Sequence, residues 1–468
     1  MWCNDCRSSP YSYISTIPMP SFLSRYVRAM RARHGSASAV CAALIAVGSA
    51  TSVTNAQAQT PLLAKTKPLY GKVASPITAL YNGFSAAKAQ RRTFSVGSVA
   101  GSQNLQTNAT GVAAEIAVTG STATARAQLE KLGVTVTGEY KQHFDALVPF
   151  ALIDDVALIP GVSYVAPNYG AITNVGAVTT QGDRAMRADL ARTAGSIDGT
   201  GQKVGILSDT FDFGGVGSYA ADQTSGDLPA DVQVVAEYTS SGKDEGRAMM
   251  QIVHDVAPGA KLAFATAFGG QATMAANIGK LRTAGCTVIT DDVSYLTAPF
   301  FMDGIVAQAV NQCVNAGVPY FMAAGNQGTN SYESSYSPTT VTSIAGTAGS
   351  FNVQDFDPGA GVDTMQQVTI PAGRTLRLTF QWDDQWKSLV PAGSGATNDF
   401  DMYLLNSTGT AILASAAASN MGGDPVELLG YTNSTGADLT ANILIMRYAG
   451  TGTPRIKYVN FDAGTTID

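Results

Sequence analysis

Three apolar runs in the middle of the chain end in polar side chains that could do chemistry. The polar groups are Ser208-Asp209-Thr210 after KVGIL, Asp291-Asp292 after CTVIT, and Asn326 after VPYFMAAG. Because the carboxyl ends of parallel strands meet at one edge of a sheet, we expect these groups to lie close together. Any one of them could equally be a helix cap or a turn residue, so the set is more informative than its members.

A glutamate at the start of a predicted helix is the candidate proton acceptor. On a helix that begins near Asp244, Glu245 shares a face with Ala248, Met249, Ile252 and Val256. We expect this stripe to face inward, where an unpaired carboxylate is costly and needs a partner. His254 lies about 180° around the helix and cannot act in the same cleft. Glu245 can act as a general base if its pKa is tuned; alternatively, it is a first-turn residue that favours the helix dipole.

The elements that must position these groups alternate between strands and helices. The runs KVGIL, VQVVAEY, KLAFATAF, CTVIT and VPYFMAA lack polar alternation, which is typical of strands buried on both faces. Helical stretches near 244–256, 272–284 and 302–316 lie between them. The alternation predicts a parallel sheet with helices on both sides. A dinucleotide-binding sheet is excluded, because Gly199-Thr200-Gly201 precedes its strand instead of following it.

Other regions flank this predicted parallel-sheet domain, which we place at 176–350. Residues 111–175 have the order β-α-β-β-α-β of a small ferredoxin-like α+β domain. The Ala-, Ser-, Gly- and Thr-rich segment 59–110 is expected to be a linker. Residues 351–468 contain apolar runs joined by Gly, Asn, Ser and Pro turns, which predicts an all-β sandwich. The expected fold class is therefore α/β, preceded by an α+β domain and followed by a β-sandwich.

Residues 1–58 have the pattern of an export signal with an N-terminal extension. Four arginines between 25 and 33 form the basic flank, the run 39–47 is apolar, and Ala56-Gln57-Ala58 offers a cleavage site. No stretch is long and apolar enough to span a bilayer, so we expect a secreted protein with no membrane anchor after cleavage. The net charge of −6 argues against nucleic acid as a partner.

Export would leave two cysteines, Cys286 and Cys313, because Cys3, Cys6 and Cys41 lie in the removed segment. A disulfide between them is permitted in an exported protein, and two separate buried thiols are equally consistent with the sequence.

The predicted sandwich contains acidic turns that could bind metal. Asp399 and Asp401, with Asp383 or Asp384, could ligate calcium through oxygen atoms. Short acidic turns are also common without metal, so both interpretations stay open.

Several of these segments resemble the subtilisin-like serine peptidases, or subtilases. GTGQKVGILSDTFD is similar to the subtilase segment whose strand carries the catalytic aspartate, which would be Asp209. VPYFMAAGNQG resembles the strand that ends in the oxyanion-hole asparagine, here Asn326. HDVAPGAKL resembles the turn after the family's second catalytic helix, and residues 257–260 (APGA) fix the register. The position of the family's histidine is then occupied by Glu245.

The resemblance also implies roles for the flanking regions. Residues 111–175 would be a propeptide, an intramolecular inhibitor whose tail lies in the active-site cleft. Its cleavage would remove His143 from the mature protein. The sandwich at 351–468 would be an inserted or accessory domain.

A division of labour among the side chains follows from the resemblance. Asp209 would hold and polarise Glu245, Glu245 would take the proton from a serine, and Asn326 would stabilise the oxyanion. The sedolisins, relatives of the subtilases, use such a Ser-Glu-Asp arrangement and favour acid. This chain resembles them in having Glu245, but it keeps the subtilase positions of Asp209 and Asn326. Asp292 lies beside the expected cleft, either as a specificity residue or as a cap.

The nucleophilic serine has no candidate that fits the family pattern. Subtilases place it at a helix start in a Gly-Thr-Ser-x-Ala-x-Pro-like run, whereas Gly346-Thr347-Ala348-Gly349-Ser350 lacks the helix and the proline. In relatives with an inserted β-sandwich, the serine segment follows the insert. We therefore expect this chain to stop before that segment, at Asp468, and to be inactive as it stands.

Three functions can be weighed on the sequence. The first is a secreted serine-type endopeptidase that acts on protein or peptide substrates without a cofactor. The second is a non-catalytic pseudopeptidase that binds partners through its sandwich. The third is a glycosidase with Asp209 and Glu245 as paired carboxylates, which has no use for the strand ending in Asn326 or for the APGA turn.

Overall fold

The computed structural model describes residues 69–99, 102, 105–169, 171–173, 182–215, 217–462 and 464–468. The predicted export signal at 1–58, the start of the predicted linker, and the predicted boundary between residues 175 and 176 lie outside the described residues.

An N-terminal unit, residues 69–169, has the strand and helix order that the sequence predicts for 111–175. Its elements are α1 (Ser75–Ala89), β1 (Gly111–Val118), α2 (Thr122–Leu132), β2 (Thr135–Tyr140), β3 (His143–Pro149), α3 (Ile153–Leu158) and β4 (Val162–Pro167). The four strands form an antiparallel sheet in the order β2-β3-β1-β4. The Ser121 hydroxyl caps α2 at the Thr124 nitrogen, and Gly133 ends the helix in the left-handed conformation.

The linker prediction for 59–110 is wrong where the structure describes that segment. Residues 75–89 form the helix α1, with Pro76 in its first turn, where proline is tolerated. Ile77 and Leu80 are fully buried and belong to the same core as Phe144. The many alanines and serines of this segment conceal an apolar stripe at helical spacing, which explains why composition alone suggested a linker.

The parallel-sheet domain follows a short strand, β5 (Ala171–Thr173). Its elements are α4 (Gly182–Ala185), α5 (Ala188–Gly195), β6 (Lys203–Ser208), α6 (Tyr219–Ser225), β7 (Gln233–Ala236), α7 (Glu245–Val256), β8 (Lys261–Thr266), α8 (Gln271–Thr283), β9 (Val288–Asp291), β10 (Val293–Tyr295), α9 (Ile305–Asn315) and β11 (Tyr320–Met322). The sheet order is β11-β9-β6-β8-β7, and every pairing is parallel. The predicted parallel sheet is therefore confirmed.

Helices cover both faces of this sheet. On one face, Leu207 and Ile289 pack in the core that contains Ile278 of α8 and Cys313 of α9. On the other face, Ile206, Leu262 and Phe264 pack against Met250 of α7. Strands buried on both sides explain the uninterrupted apolar runs in the sequence.

The order of the strands creates a crevice between β6 and β9. The chain passes from β6 to β7 and β8 on one side, then crosses to β9 and β11 on the other side. Such a topological switch opens a crevice at the carboxyl ends of the two strands. The strand β10 follows β9 directly at this crevice. It pairs antiparallel with β5, so that Thr173 lies opposite Val293.

The sandwich consists of two antiparallel sheets and begins earlier than predicted. Its strands are β12 (Ser331–Ser335), β13 (Pro338–Ile344), β14 (Thr347–Gln354), β15 (Gln366–Ile370), β16 (Thr375–Trp382), β17 (Asp399–Asn406), β18 (Ile412–Ala416), β19 (Val426–Thr432), β20 (Leu439–Ala449), β21 (Arg455–Asn460) and β22 (Thr466–Ile467). One sheet has the order β12-β21-β16-β19, and the other contains the remaining seven strands. Its core includes Trp382, Phe400 and Tyr458.

The predicted boundary at residue 350 is wrong, because β12, β13 and half of β14 precede it. β12 pairs with β21 along its length, and β13 pairs with β14 in the other sheet. These strands are rich in serine and threonine and are largely exposed, so they lack the apolar alternation by which the sequence indicates a strand. Among the described residues, no helix is long and apolar enough to cross a membrane.

Candidate functional site

Two neighbouring strands bring two acidic side chains to the crevice. Leu207 of β6 lies opposite Asp291 of β9, so Asp209 and Asp292 both follow at the same edge of the sheet. Asp209 is 2% exposed and Asp292 is 9% exposed. We expected the polar groups at the strand ends to lie close together, and the groups that follow β6 and β9 do so.

The Asp209 carboxylate closes the N-terminus of α7. Its Oδ1 accepts hydrogen bonds from the backbone nitrogens of Glu245 at 2.9 Å and Thr210 at 2.5 Å. Its Oδ2 accepts one from the Lys243 nitrogen at 2.7 Å. An aspartate that accepts the first N–H groups of a helix satisfies donors that have no partner within the helix. Asp209 therefore holds Glu245 by its backbone, and the expected polarisation of the Glu245 carboxyl group by Asp209 stays a prediction.

The expected inward stripe on α7 is wrong for Ala248, whereas Met249 packs against the core and Ile252 and Val256 are half-buried. The buried residues of the helix are Gly246, Arg247 and Met250, whereas Ala248 is exposed. The helix lies so close to the sheet that a Cβ on Gly246 would clash with the Phe264 ring and lie 2.9 Å from the Thr210 carbonyl oxygen. Because this face of α7 packs on the sheet, Glu245 lies at the edge of the buried face and is half-buried above the crevice.

The carboxyl partner of Glu245 is Asp292. The Asp292 carboxyl group interacts with the Ser208 hydroxyl and with the Glu245 side chain. Burial raises the pKa of Asp292, these two interactions act in the opposite direction, and the charge of Asp209 raises the pKa again. Two carboxyl groups in contact repel each other when both are ionised, and this repulsion favours a single proton held between them.

Asp291 faces the other side of β9 and has its own partner. The Tyr320 hydroxyl donates a hydrogen bond to Asp291 Oδ2 at 2.6 Å, and the Val293 nitrogen donates to Oδ1 at 3.2 Å. Burial raises the pKa of Asp291 to about 6. The hydrogen bond between Tyr320 and Asp291 fixes the end of β9 directly before Asp292. In the sequence, the tyrosine of VPYFMAAG was the only indication of this interaction.

A buried ion network supports the loop after Asp209 and was missed by the sequence reasoning. Asp244, at φ +60°, accepts hydrogen bonds from the backbone of Phe213 at 2.7 Å and Gly215 at 2.5 Å. Burial opposes its ionisation, but these bonds and the Thr210 hydroxyl lower the pKa of Asp244 to about 2. Arg247 joins Asp244 to a further carboxylate.

That further carboxylate is Asp222 of α6. Arg247 Nη1 donates to Asp222 Oδ2 at 2.7 Å, and Arg247 Nη2 donates to Asp244 Oδ2 at 3.3 Å. Both ion pairs are buried, so removing one partner would leave an uncompensated charge. The network fixes the turn from which α7 starts.

Asn326 is not brought to the carboxyl pair. It lies four residues beyond β11 and is exposed. Within the described part of the chain, no hydrogen bond joins it to Asp209, Glu245 or Asp292. Its role as an oxyanion donor stays a prediction.

The glycine-rich run Gly346–Ser350 is not a strand-to-helix turn. Thr347 begins β14, and Ser350 lies exposed on that strand, within the sandwich.

The four aspartates considered for calcium do not form a metal site. Asp384 Oδ2 accepts the backbone N–H groups of Thr397 at 2.9 Å and Asn398 at 2.7 Å, so it organises the loop before β17. Asp401 Oδ2 accepts the Tyr403 hydroxyl at 2.9 Å. Among the described residues, no group of three or more acidic, histidine or cysteine side chains is placed to hold a metal ion.

The two cysteines are free thiols in the structure. Cys286 and Cys313 are both buried in the core between the sheet, α8 and α9. Burial raises the pKa of Cys286 to about 11, which leaves it an unreactive thiol at neutral pH.

The N-terminal unit contacts the parallel-sheet domain through a buried aspartate. Asp145 Oδ2 accepts hydrogen bonds from the Thr273 nitrogen at 2.8 Å and the Thr273 hydroxyl at 3.1 Å, at the start of α8. Asn168 Nδ2 donates to Asp145 Oδ1 at 3.3 Å. A side chain of one unit thus caps a helix of the other.

The chain matches no family model and no curated protein sequence. Solved structures to which it is similar include those of three proteases. Fervidolysin from Fervidobacterium pennivorans, a keratinolytic enzyme related to subtilisin, has a TM-score of 0.32 and 16% identity. The match covers 48% of this chain and 41% of fervidolysin, so the chain spans about two fifths of that protein's length.

Two further solved structures are similar at the same level. The CspB protease of Clostridium perfringens has a TM-score of 0.32 and 9% identity, over 62% of this chain and 69% of that one. The epidermin leader peptide processing serine protease from Staphylococcus aureus has a TM-score of 0.33 and 13% identity, over 47% of this chain and 62% of that one. Scores this low do not define the function of the chain.

Proposed function

We propose that this chain carries the acid–base apparatus of a secreted serine-type endopeptidase of the subtilase superfamily, with Glu245 as the general base. The observation that carries the proposal is the contact between the Glu245 and Asp292 carboxyl groups at the β6/β9 crevice. Proton transfer near neutral or acidic pH requires a group whose pKa is shifted, and a coupled carboxyl pair provides one.

The proposed chemistry assigns a role to each group of the pair. In the arrangement in which the pair holds one proton and that proton lies on Asp292, ionised Glu245 takes the proton from a serine hydroxyl as the serine oxygen attacks the substrate carbonyl carbon. Protonated Glu245 then gives that proton to the leaving amine, and water repeats the cycle on the acyl-enzyme. Asp209 acts through the backbone by holding the first turn of α7. Asn326 would donate to the oxyanion after its loop closes, and the serine is not assigned to a residue.

Peptide substrates would bind as an added strand along β10. The pairing of β5 with β10 supports this mode, because an extended segment of the same chain already occupies that edge next to Asp292. The segment β5, which follows the N-terminal unit, would then inhibit the catalytic domain by occupying the position of the substrate strand. Release from the cell would depend on the export signal at 1–58.

The glycosidase alternative is disfavoured by the geometry of the acids. Asp209 uses both carboxylate oxygens to accept backbone N–H groups. Glu245 and Asp292 interact directly, whereas the two carboxyl groups of a glycosidase stand at least about 5 Å apart with the sugar between them.

Hydrolysis of denatured casein by the protein, from pH 3 to 8, tests the proposal. We expect an acidic optimum, because activity requires the singly protonated pair. Glu245→Gln and Asp292→Asn should each lower kcat by a factor of about 100 or more. Asp255→Asn, an exposed carboxylate on the last turn of α7, is the matched control and should keep its activity.

Two outcomes would count against the proposal. A neutral optimum that Glu245→Gln leaves unchanged would remove Glu245 as the base. No hydrolysis at any pH would favour the alternative, a secreted non-catalytic protein that binds partners through its sandwich.

A further inference from the structure

A cavity of about 60 Å³ lies where the N-terminal unit, the parallel-sheet domain and the sandwich meet. Its wall includes Tyr169 from the first region, Thr297 from the second, and Trp386 from the third. Direct hydrogen bonds hold the regions together around it. The Ser75 hydroxyl donates to the Ser419 carbonyl oxygen at 2.8 Å, and Gln381 Nε2 donates to the Ala298 carbonyl oxygen at 2.9 Å.

The cavity is acidic. Glu115, Asp424 and Glu427 line it and are between 5% and 9% exposed. Among the described residues of the wall, none is lysine, arginine or histidine. Just outside it, His143 Nδ1 lies 3.2 Å from Glu115 Oε1. Burial, with the charge of Glu115, raises the pKa of Asp424 to about 7. Buried carboxyl groups in this setting favour a positive charge between them.

A buried amide oxygen in the same wall has no partner. Asn420 is 7% exposed, and its Nδ2 donates to the carbonyl oxygens of Asp424 and Val426, both at 3.0 Å. Its Oδ1 is buried and accepts no hydrogen bond within the described part of the chain. Buried acceptors are almost always satisfied in folded proteins. A hydrogen-bond donor is therefore expected in the cavity, independently of the carboxyl charges.

The lining distinguishes an organic cation from a metal ion. No three acidic groups among the described residues converge closely enough to ligate a metal. The carboxyl groups are instead spread around a space that exceeds the roughly 10–15 Å³ needed for one water molecule. Trp386 and Tyr169 add aromatic surface, which attracts organic cations through the ring face.

We propose that this cavity binds an alkylammonium group, supplied by a lysine side chain of a peptide or by a free amine. The three N–H donors of the ammonium group match the Asn420 Oδ1 acceptor and two of the carboxylates, and the alkyl part packs on Trp386. The site needs no peptide-bond hydrolysis, so it stands or falls separately from the peptidase proposal.

The cavity lies next to the end of the β5–β10 pair. Ala171 of β5 lies opposite Tyr295 of β10, and Tyr169, two residues earlier, lines the cavity together with Thr297, two residues past Tyr295. A peptide that runs along β10 in the place of β5 would bring a side chain to the same point. A lysine there would be a distal determinant of peptide binding.

Isothermal titration calorimetry on the full chain with n-butylammonium chloride tests the site. We expect saturable binding at millimolar concentrations and a loss of affinity of about tenfold or more in Asp424→Asn and in Asn420→Ala. Glu427→Gln provides a further variant if Asp424→Asn does not fold, with near-ultraviolet circular dichroism as the check. Asp231→Asn, an exposed carboxylate far along the chain, is the control and should bind normally.

The probes also separate the sources and the alternatives. The peptide acetyl-Ala-Lys-Ala-amide, bound about tenfold more tightly than n-butylammonium, would identify a peptide lysine; equal affinities would identify free amines. Either result supports the ammonium site. Equal binding of 1-butanol, equal binding by all variants, displacement of the amine by calcium chloride, or no binding up to about 50 mM would overturn it.

Discussion

The backbone nitrogen of Glu245 donates to Oδ1 of Asp209 at 2.9 Å, so the carboxylate after β6 fixes the first residue of α7. The Glu245 side chain interacts with the carboxyl group of Asp292. The acid–base pair is thus built from β9 and α7, and Asp209 holds the helix that carries one half of it.

Asp209→Asn should destabilise the protein by about 1–3 kcal/mol. Both carboxylate oxygens accept backbone N–H groups, so the amide nitrogen of asparagine would face a donor wherever it is placed. The change is measured by urea unfolding at neutral pH. Asp255→Asn at the exposed end of the same helix should change stability by less than about 0.5 kcal/mol. Equal effects of the two substitutions would show that Asp209 is not a cap.

Glu245→Gln should change how Asp292 titrates. In the wild type, the pair loses its protons in two coupled steps, whereas in the variant Asp292 should titrate alone. The measurement is carbon-13 NMR of the carboxyl signals across the acidic and neutral range. An Asp292 titration curve that is identical in wild type and variant would mean that the two side chains are not coupled.

The sequence was sufficient for the parallel sheet and for the residues at its strand ends. Uninterrupted apolar runs identify strands that are buried on both faces, and topology then requires their carboxyl ends to meet. Asp209 and Asp292 follow from that rule alone. Tyr320 and Arg247 do not, because a buried phenol or guanidinium finds its partner through packing between elements far apart in the chain.

The orientation of Glu245 could not be predicted from periodicity. A helix of twelve residues with few large apolar side chains fits several faces, and here the contact face is chosen by Gly246 and Arg247, neither of which is apolar and large. The glycine permits close approach to the sheet, and the buried arginine neutralises two carboxylates. A hydrophobic pattern nevertheless predicts that both positions are exposed, because neither side chain is large and apolar.

Gly246→Ala should destabilise the protein by about 1–3 kcal/mol or more. The added Cβ would meet the Phe264 ring and the Thr210 carbonyl oxygen, so α7 would have to move away from the sheet. Thermal and urea unfolding measure the change. Gly279→Ala in α8 is the matched control: its Cβ meets nothing within 4 Å, and alanine should stabilise the helix by about 0.5–1 kcal/mol. The same sign for both substitutions would contradict the close approach of α7.

The last prediction concerns the buried Asp145 between the N-terminal unit and α8. Burial, together with the charge of Glu115 directly opposite on β1, raises the pKa of Asp145 to about 8. The N–H and hydroxyl of Thr273 act against this rise. His143 and Tyr295 are the other titratable groups near this carboxyl group and Glu115. In the unfolded chain the carboxyl group ionises near pH 4.

Between about pH 4 and pH 8, the folded state therefore holds a proton on Asp145 that the unfolded state has lost. The contribution of Asp145 to stability is complete below pH 4 and falls as pH rises toward 8, by at most about 1.4 kcal/mol for each pH unit. Asp145→Asn removes this titration but keeps an oxygen acceptor for Thr273. Urea unfolding at pH 5 and pH 8 should show a smaller loss of stability in the variant than in the wild type. The raised pKa values of Asp291 and Asp424 act on both proteins alike and cancel in the comparison. Parallel pH profiles for wild type and variant would mean that Asp145 is ionised in the folded protein.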